Sequence, residues 1–147
     1  MFGYKSHIAI DRRFGFIRES AVTSAAQADG RMLSRLVSTQ NSSSEVWADS
    51  AYRSQTNEKW LASRMLISRI HRRKAVGKPM PRPIARANAA KSSLRAHVEH
   101  VFAHQKNRFG LCIRTIGIAR AEVKLILANI ACNFDRLIFH EHARAMG

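Results

Sequence analysis

The first segment of the chain alternates between apolar and polar side chains, and this period constrains the fold more than any other feature. One parity holds the apolar residues Phe2, Tyr4, Ile8 and Ile10. A period of two is typical of a half-buried strand. Residues 12–15 then form a turn signal that ends in Gly15, and residues 16–23 suit a second strand. The pattern predicts a β-hairpin over residues 2–23.

Downstream of the hairpin, short strands alternate with helices. The predicted elements are a helix at 25–37, a loop at 41–44, a strand at 46–48, a helix capped by Thr56 or Asn57 and ending at Ser63, a strand at 65–70 and a loop at 72–83. Two longer helices are predicted at 84–107 and 118–139, separated by a break at Gly110. This order predicts a mixed α/β fold.

The second long helix carries apolar residues at helical spacing. They are Val123, Ile126, Ile130, Phe134 and Leu137. Spacings of three and four predict an amphipathic helix that buries this face.

The charge of the chain is large and unevenly placed. The 147 residues hold 25 Lys and Arg against 10 Asp and Glu, and between Glu58 and Glu99 there is no acidic residue. Eleven basic residues lie between Lys59 and Arg95. Such a run favours contact with a polyanion, nucleic acid before an anionic membrane, over the alternative of a solvated face or flexible arm.

Other features narrow the class of protein. Cys112 and Cys132 are too few for a disulfide scaffold and lack metal-site spacing, which favours reduced thiols in the cytosol. The N-terminus has no apolar segment of signal-peptide length. Charges interrupt the apolar stretch 113–139 and argue against a membrane span.

Two carboxylates and a group of histidines are candidates for chemistry. Asp49 follows a predicted buried strand, where α/β proteins place ligand-binding groups, although a helix cap or turn explains it equally. Glu99 lies in a basic helix, and an ion pair with Arg95 at i−4 is the simpler explanation. His100 and His104 have a spacing that can chelate a metal, but surface or DNA-facing roles suit them better.

Several ordered segments together resemble the DDE transposases of bacterial insertion sequences. The segments are residues 2–11, which resemble the second-strand signature, 21–29, 46–53, 95–106 and 114–121. In the fourth of these, Arg95, Glu99 and Lys106 match the family's R-x3-E-x6-K motif, while Ser92 stands where the family often has Tyr. The resemblance covers nearly the whole chain.

The resemblance implies a ribonuclease H-like mixed sheet with flanking helices and a single partial catalytic domain over residues 1–147. It implies two divalent metals, Mg²⁺ or Mn²⁺, held by three carboxylates for DNA strand cleavage and transfer during recombination. Asp49 and Glu99 correspond to two of the three. Arg95 and Lys106 would contact DNA phosphates, and we assign the same role to Arg72, Arg73, Lys74 and Lys78.

The family's first catalytic Asp lies on a first strand upstream of the segment that residues 2–11 resemble. We therefore expect a transposable-element product truncated at its N-terminus, without its first strand. In the ribonuclease H-like order 3-2-1-4-5 that strand is central, so its loss would leave a slot about 10 Å wide and a marginal fold.

The leading hypothesis is an insertion-sequence transposase fragment, bacterial and cytosolic or nucleoid-associated, that binds insertion-sequence ends and target DNA but is catalytically incomplete alone. Frameshifting or an upstream frame could supply the first strand. A non-enzymatic DNA-binding or dominant-negative regulator is the alternative, with full-length transposase or a second copy as a partner. An unrelated RNA-binding protein is a further alternative.

Overall fold

The computed structural model describes residues 3–38, 40, 44–113 and 117–147, without the side chains of residues 93–95. The chain forms two compact units: residues 1–27 with 97–147 make the first, and residues 28–96 make the second. The strands are β1 (Tyr4–Ile10), β2 (Ile17–Ser24), β3 (Glu45–Val46) and β4 (Ile67–Ser68). The α-helices are α1 (Leu33–Leu36), α2 (Gln55–Ser63), α3 (Arg82–Arg108) and α4 (Ile118–Ala145).

The first unit is built on the predicted β-hairpin. Strands β1 and β2 pair antiparallel from Tyr4 opposite Ser24 to Ile10 opposite Ile17, with an irregularity at Ala9 and Ile10. The Asp11 carboxylate closes the turn by accepting the Phe14 N–H at 2.7 Å. Gly15 has a φ of +77°, a conformation that glycine adopts without steric cost. The hairpin predicted from the alternating sequence is confirmed over the described residues.

Helix α4 packs along the hairpin, and polar contacts hold the two together at two points. The Gly117 N–H donates to the Tyr4 hydroxyl at 2.9 Å. Asn133 pairs with both backbone groups of Ile17, accepting from its N–H at 2.8 Å and donating to its carbonyl at 2.9 Å. Val22, Ala121 and Leu125 form the buried core between the two elements. Backbone groups of the hairpin therefore gain partners from the helix.

The prediction for the buried face of α4 is wrong. The residues that the helix buries are Ala121, Leu125, Ala128, Asn129 and Cys132. The predicted face is exposed, with Val123 57% and Phe134 62% accessible. Small side chains such as Ala121 and Ala128 let the helix approach the hairpin closely, so the larger residues lie on the opposite side.

The second unit holds a short parallel pair of strands beside helix α2. Glu45 and Val46 of β3 pair with Ile67 and Ser68 of β4. The core of this unit consists of Leu33, Leu61 and Ile70, with smaller contributions from Val46, Ala48, Tyr52, Trp60 and Leu66. Both strands are shorter than predicted, and Asp49 lies three residues beyond the end of β3.

Two other predictions in the second unit need correction. The helix expected over residues 25–37 is reduced to a 3-10 turn at Asp29–Met32 followed by α1. Gly30 lies inside this segment, and glycine disfavours a continuous helix. Helix α2 begins at Gln55, and its cap is Ser54, whose hydroxyl accepts the Asn57 N–H at 3.1 Å, instead of Thr56 or Asn57.

The long helices and the loop before them agree with the sequence. Helices α3 and α4 extend past the predicted bounds 84–107 and 118–139 by a few residues, and Gly110 between them has a φ of +58°. The loop from Arg72 ends at Pro81, because α3 begins at Arg82. Most of the predicted loop 41–44 lies outside the described residues.

The strand ladders confirm a mixed α/β chain but do not form the single mixed sheet that we expected. Among the described residues, β1 pairs with β2 and β3 pairs with β4, which gives two sheets of two strands each. No helix in the described ranges is long and apolar enough to cross a membrane.

Candidate nucleic-acid interface

Asp49 lies at the start of a 3-10 turn, Ser50–Tyr52, in the second unit. Its side chain is half-buried, and its Oδ1 accepts the Ser50 N–H at 2.5 Å, so the residue caps this turn. The chain reaches this point directly from β3. The cap interpretation of Asp49 is therefore confirmed, and its ligand-binding role beyond the end of a strand stays a prediction.

Tyr52 gives an electrostatic picture of the surroundings of Asp49. The pKa of the Tyr52 hydroxyl is raised to about 12, mainly by burial and then by the negative charges of Asp29 and Asp49. A phenol beside two carboxylates is harder to ionise because a third negative charge would be repelled. Two acidic residues thus act on one buried hydroxyl in this unit.

Asn57 fixes the backbone around these residues. Its Nδ2 donates to the Gly30 carbonyl at 2.8 Å and to the Tyr52 carbonyl at 2.7 Å. Asn57 itself is buried, with 9% of its surface exposed. Asn57 joins helix α2 to the segments that carry Asp29 and Asp49.

The basic loop, residues 72–78, begins beside the Asp49 turn. The guanidinium of Arg73 donates to the Ser50 carbonyl at 2.8 Å and to the Ala51 carbonyl at 3.4 Å. These two carbonyls belong to the residues that follow Asp49. Arg73 therefore holds the start of the basic loop against the turn that Asp49 caps.

The start of the basic loop is also held to α3. Asn88 accepts the Arg72 N–H at 3.2 Å and donates to the Arg72 carbonyl at 3.0 Å. The backbone of Arg72 is thus fixed, while its side chain is exposed. Lys74 and Lys78 are exposed as well. The predicted DNA-contacting residues of the loop all lie at the surface of one unit.

Lys91 on α3 lies close to several positively charged side chains near the start of the basic loop. Its Nζ lies 3.5 Å from the Ile70 carbonyl. Its pKa is lowered, first by desolvation and then by the nearby charges of Arg53, Arg72 and Arg69, with Glu58 opposing them. Cations close enough to lower the pKa of Lys91 give this surface a positive potential, which favours binding of an anion.

The predicted residues of the R-x3-E-x6-K motif all lie on α3. Glu99 and Lys106 are exposed, and the side chain of Arg95 lies outside the described residues. Asp49 belongs to the second unit and Glu99 to the first. The roles predicted for Glu99, Arg95 and Lys106 stay predictions.

No three His, Cys, Asp or Glu side chains of the described residues come close enough together to hold a metal ion. His104, one of the histidines with chelating spacing, has its Nε2 2.9 Å from Asp135 Oδ2, and Arg108 Nε lies 3.1 Å from the same oxygen. This cluster links α3 to α4 in the first unit, which is a structural use of His104.

Sequence reasoning missed the residues that position the candidate site. Asn57, Asn88 and Lys91 are single polar residues within helices, and no spacing marks them. The contact of Arg73 with the Ser50 carbonyl spans 23 positions in the sequence. Only the fold brings these residues together, so nothing in the local pattern could have identified them.

Comparison with known proteins assigns the sequence to a family. A family model described as the transposase DDE domain matches residues 1–134. Searches of the curated proteins and of the solved structures found no match. The family match spans the hairpin, Asp49, the basic loop, Glu99 and most of α4. The chain therefore belongs to the transposase DDE domain family.

Proposed function

We propose that this chain binds duplex DNA through the basic loop of its second unit, beside Asp49. One observation carries the proposal: Arg73 holds the loop against the Ser50 and Ala51 carbonyls, next to the candidate carboxylate. A transposase acts on DNA, and phosphates next to a metal-binding carboxylate are what its chemistry needs. Arg72, Lys74 and Lys78 present exposed cations for those phosphates.

We propose further that Asp49 and Glu99 are two of the three metal-binding carboxylates of a bacterial insertion-sequence transposase. Carboxylate oxygens are ligands that Mg²⁺ prefers, so the donor chemistry suits the ion. Arg95 and Lys106 would contact DNA near Glu99. With two of the three carboxylates assigned, the chain alone binds DNA without cleaving it.

The ribonuclease H-like architecture belongs to the same proposal. Its order 3-2-1-4-5 contains an antiparallel pair, 3-2, and a parallel pair, 4-5. The antiparallel β1–β2 hairpin and the parallel β3–β4 pair support this order, since both directions agree with it.

One assay with two readouts tests the proposed function. Supercoiled plasmid and short duplexes are incubated with the chain and Mg²⁺ or Mn²⁺, and complexes and nicked DNA are quantified. We expect retarded complexes and no nicking above that of Asp49→Asn. Replacing Arg72, Lys74 and Lys78 with Gln should weaken binding by about tenfold or more, because each phosphate contact contributes to affinity.

A matched control replaces Arg18, Lys124 and Arg144 with Gln, which removes the same charge from exposed positions elsewhere. This variant should bind nearly as well as the unchanged chain. Equal loss in both variants would mean that only net charge matters. Nicking that disappears in Asp49→Asn would show a complete enzyme and refute the catalytic part of the proposal.

A further inference from the structure

Helix α4 is apolar on two opposite faces, and only one of them is buried. At about 100° per residue, the buried residues Ala121, Leu125, Ala128, Asn129 and Cys132 centre on one side of the helix. The opposite side carries Val123, Leu127, Ile130, Phe134 and Leu137, which we call the outer stripe. A helix that is apolar on both sides is typical of a buried helix.

The outer stripe is exposed along its whole length. Its least accessible member, Leu137, is 44% exposed, and Leu127 and Phe134 are each 62% exposed. Ile126 and Ile138 widen the stripe at 43% and 51%. Scattered exposed apolar residues are ordinary, but a continuous row of this size marks an interaction surface.

The spacing of the outer stripe matches that of a helix that pairs with another helix. Successive members are four, three, four and three residues apart. This repeat forms the seam of two helices packed side by side. Between Lys124 and Asp135 the sequence has no charged residue, so DNA, the other partner of this chain, does not suit this face. A partner helix with the same repeat does.

Charges at the two ends of the outer stripe indicate which helix that is. Arg120 precedes the stripe by three residues and Glu141 follows it by four, and both are exposed. The two lie equally far from the midpoint between Ile130 and Ala131. An antiparallel second copy of α4 therefore sets Arg120 opposite the partner's Glu141 at both ends, whereas a parallel copy sets like charges together.

We propose that the outer stripe is a dimer interface, on which a second copy of this chain packs its own α4 in antiparallel orientation. The arrangement has a two-fold axis through the middle of the helix, so one patch serves both subunits. It places Leu127 opposite the partner's Phe134 and joins the first units of two chains. The inference does not depend on the proposed DNA binding.

The test is the mass of the full chain in solution, measured by sedimentation equilibrium at about 0.3 M NaCl to screen the repulsion between two basic molecules. Reductant keeps the exposed Cys112 from forming a disulfide. We expect a dimer for the unchanged chain and a monomer for Leu127→Glu with Phe134→Glu. The control, Met65→Glu with Val76→Glu, alters residues 87% and 100% exposed in the second unit and should remain dimeric.

Charge exchange tests the orientation. Arg120→Glu and Glu141→Arg should each raise the dimer dissociation constant by roughly three- to tenfold, and the two together should restore it. Circular dichroism shows whether each variant is folded, which is expected because the altered side chains are exposed. A monomeric unchanged chain, a dimer that survives Leu127→Glu with Phe134→Glu, or a double exchange that fails to restore pairing would overturn the proposal.

Discussion

Tyr52 shows how single residues shape the surroundings of Asp49. Its hydroxyl is partly buried near Asp29 and Asp49, and its pKa is raised to about 12 by burial first and by the two carboxylates next. The neutral phenol can lie beside these carboxylates, while the phenolate cannot do so without repulsion. Tyr52 therefore stays protonated at any pH at which the chain works.

The Tyr52 pKa predicts how stability responds to alkaline pH. The folded pKa is about 12, above the ordinary value of 10.0, so the stabilising contribution is complete below pH 10 and is lost as pH rises towards 12. Titrating tyrosine absorbance in the unchanged chain and in Tyr52→Phe isolates this group. The difference curve should have its midpoint near 12. A midpoint at 10.0 would mean that neither burial nor the two carboxylates raises the pKa of Tyr52.

Among the elements, helix α2 supports the candidate site through Asn57. Replacing Asn57 with Asp keeps the shape but removes both N–H donors and puts an oxygen against the Gly30 and Tyr52 carbonyls. We expect the free energy of unfolding to fall by about 2–3 kcal/mol, since two hydrogen bonds made by a buried side chain are lost. Denaturant unfolding measures the change.

The exposed Asn107 near the end of α3 provides the control for Asn57. Asn107→Asp makes the same chemical change at the surface and should cost less than about 1 kcal/mol, part of it from the helix dipole. Equal losses in the two variants would contradict the role given to the Asn57 amide.

The elements also show how far the sequence could predict the fold. Alternation located the hairpin, the absence of Gly and Pro over residues 84–107 located α3, and apolar spacings of three and four located α4, because these signals are local. Periodicity could not choose the buried face of α4, since Leu125 and Leu127 are equally apolar and lie on different sides. That choice depends on which side chains fit against Val22 and the hairpin.

The same division applies to the candidate site. Charge counting identified the basic loop, and the resemblance identified Asp49 and Glu99. Two sets of hydrogen bonds join distant parts of the sequence: Arg73 donates to the Ser50 and Ala51 carbonyls, and Asn88 bonds to the backbone of Arg72. These hydrogen bonds determine where the cations of the basic loop lie relative to Asp49, and they form only through tertiary packing.

The candidate functional residues of the molecule are distributed over two compact units. The second unit carries Asp49 and the basic loop, and the first carries Glu99, the hairpin and α4. Helix α3 contributes to both, since its residues up to Ala96 belong to the second unit and those from His97 to the first. We propose that DNA phosphates bind in the second unit, at the basic loop beside Asp49.

The salt dependence of DNA affinity tests that claim most directly. Fluorescence anisotropy gives the dissociation constant over a range of NaCl concentrations for the unchanged chain and for the variant with Gln at positions 72, 74 and 78. Each lost phosphate contact lowers the slope of log affinity against log salt by about 0.9, so we expect the slope to be smaller by about 2.7. The control with Gln at positions 18, 124 and 144 should keep the original slope. An unchanged slope in the loop variant would contradict the claim.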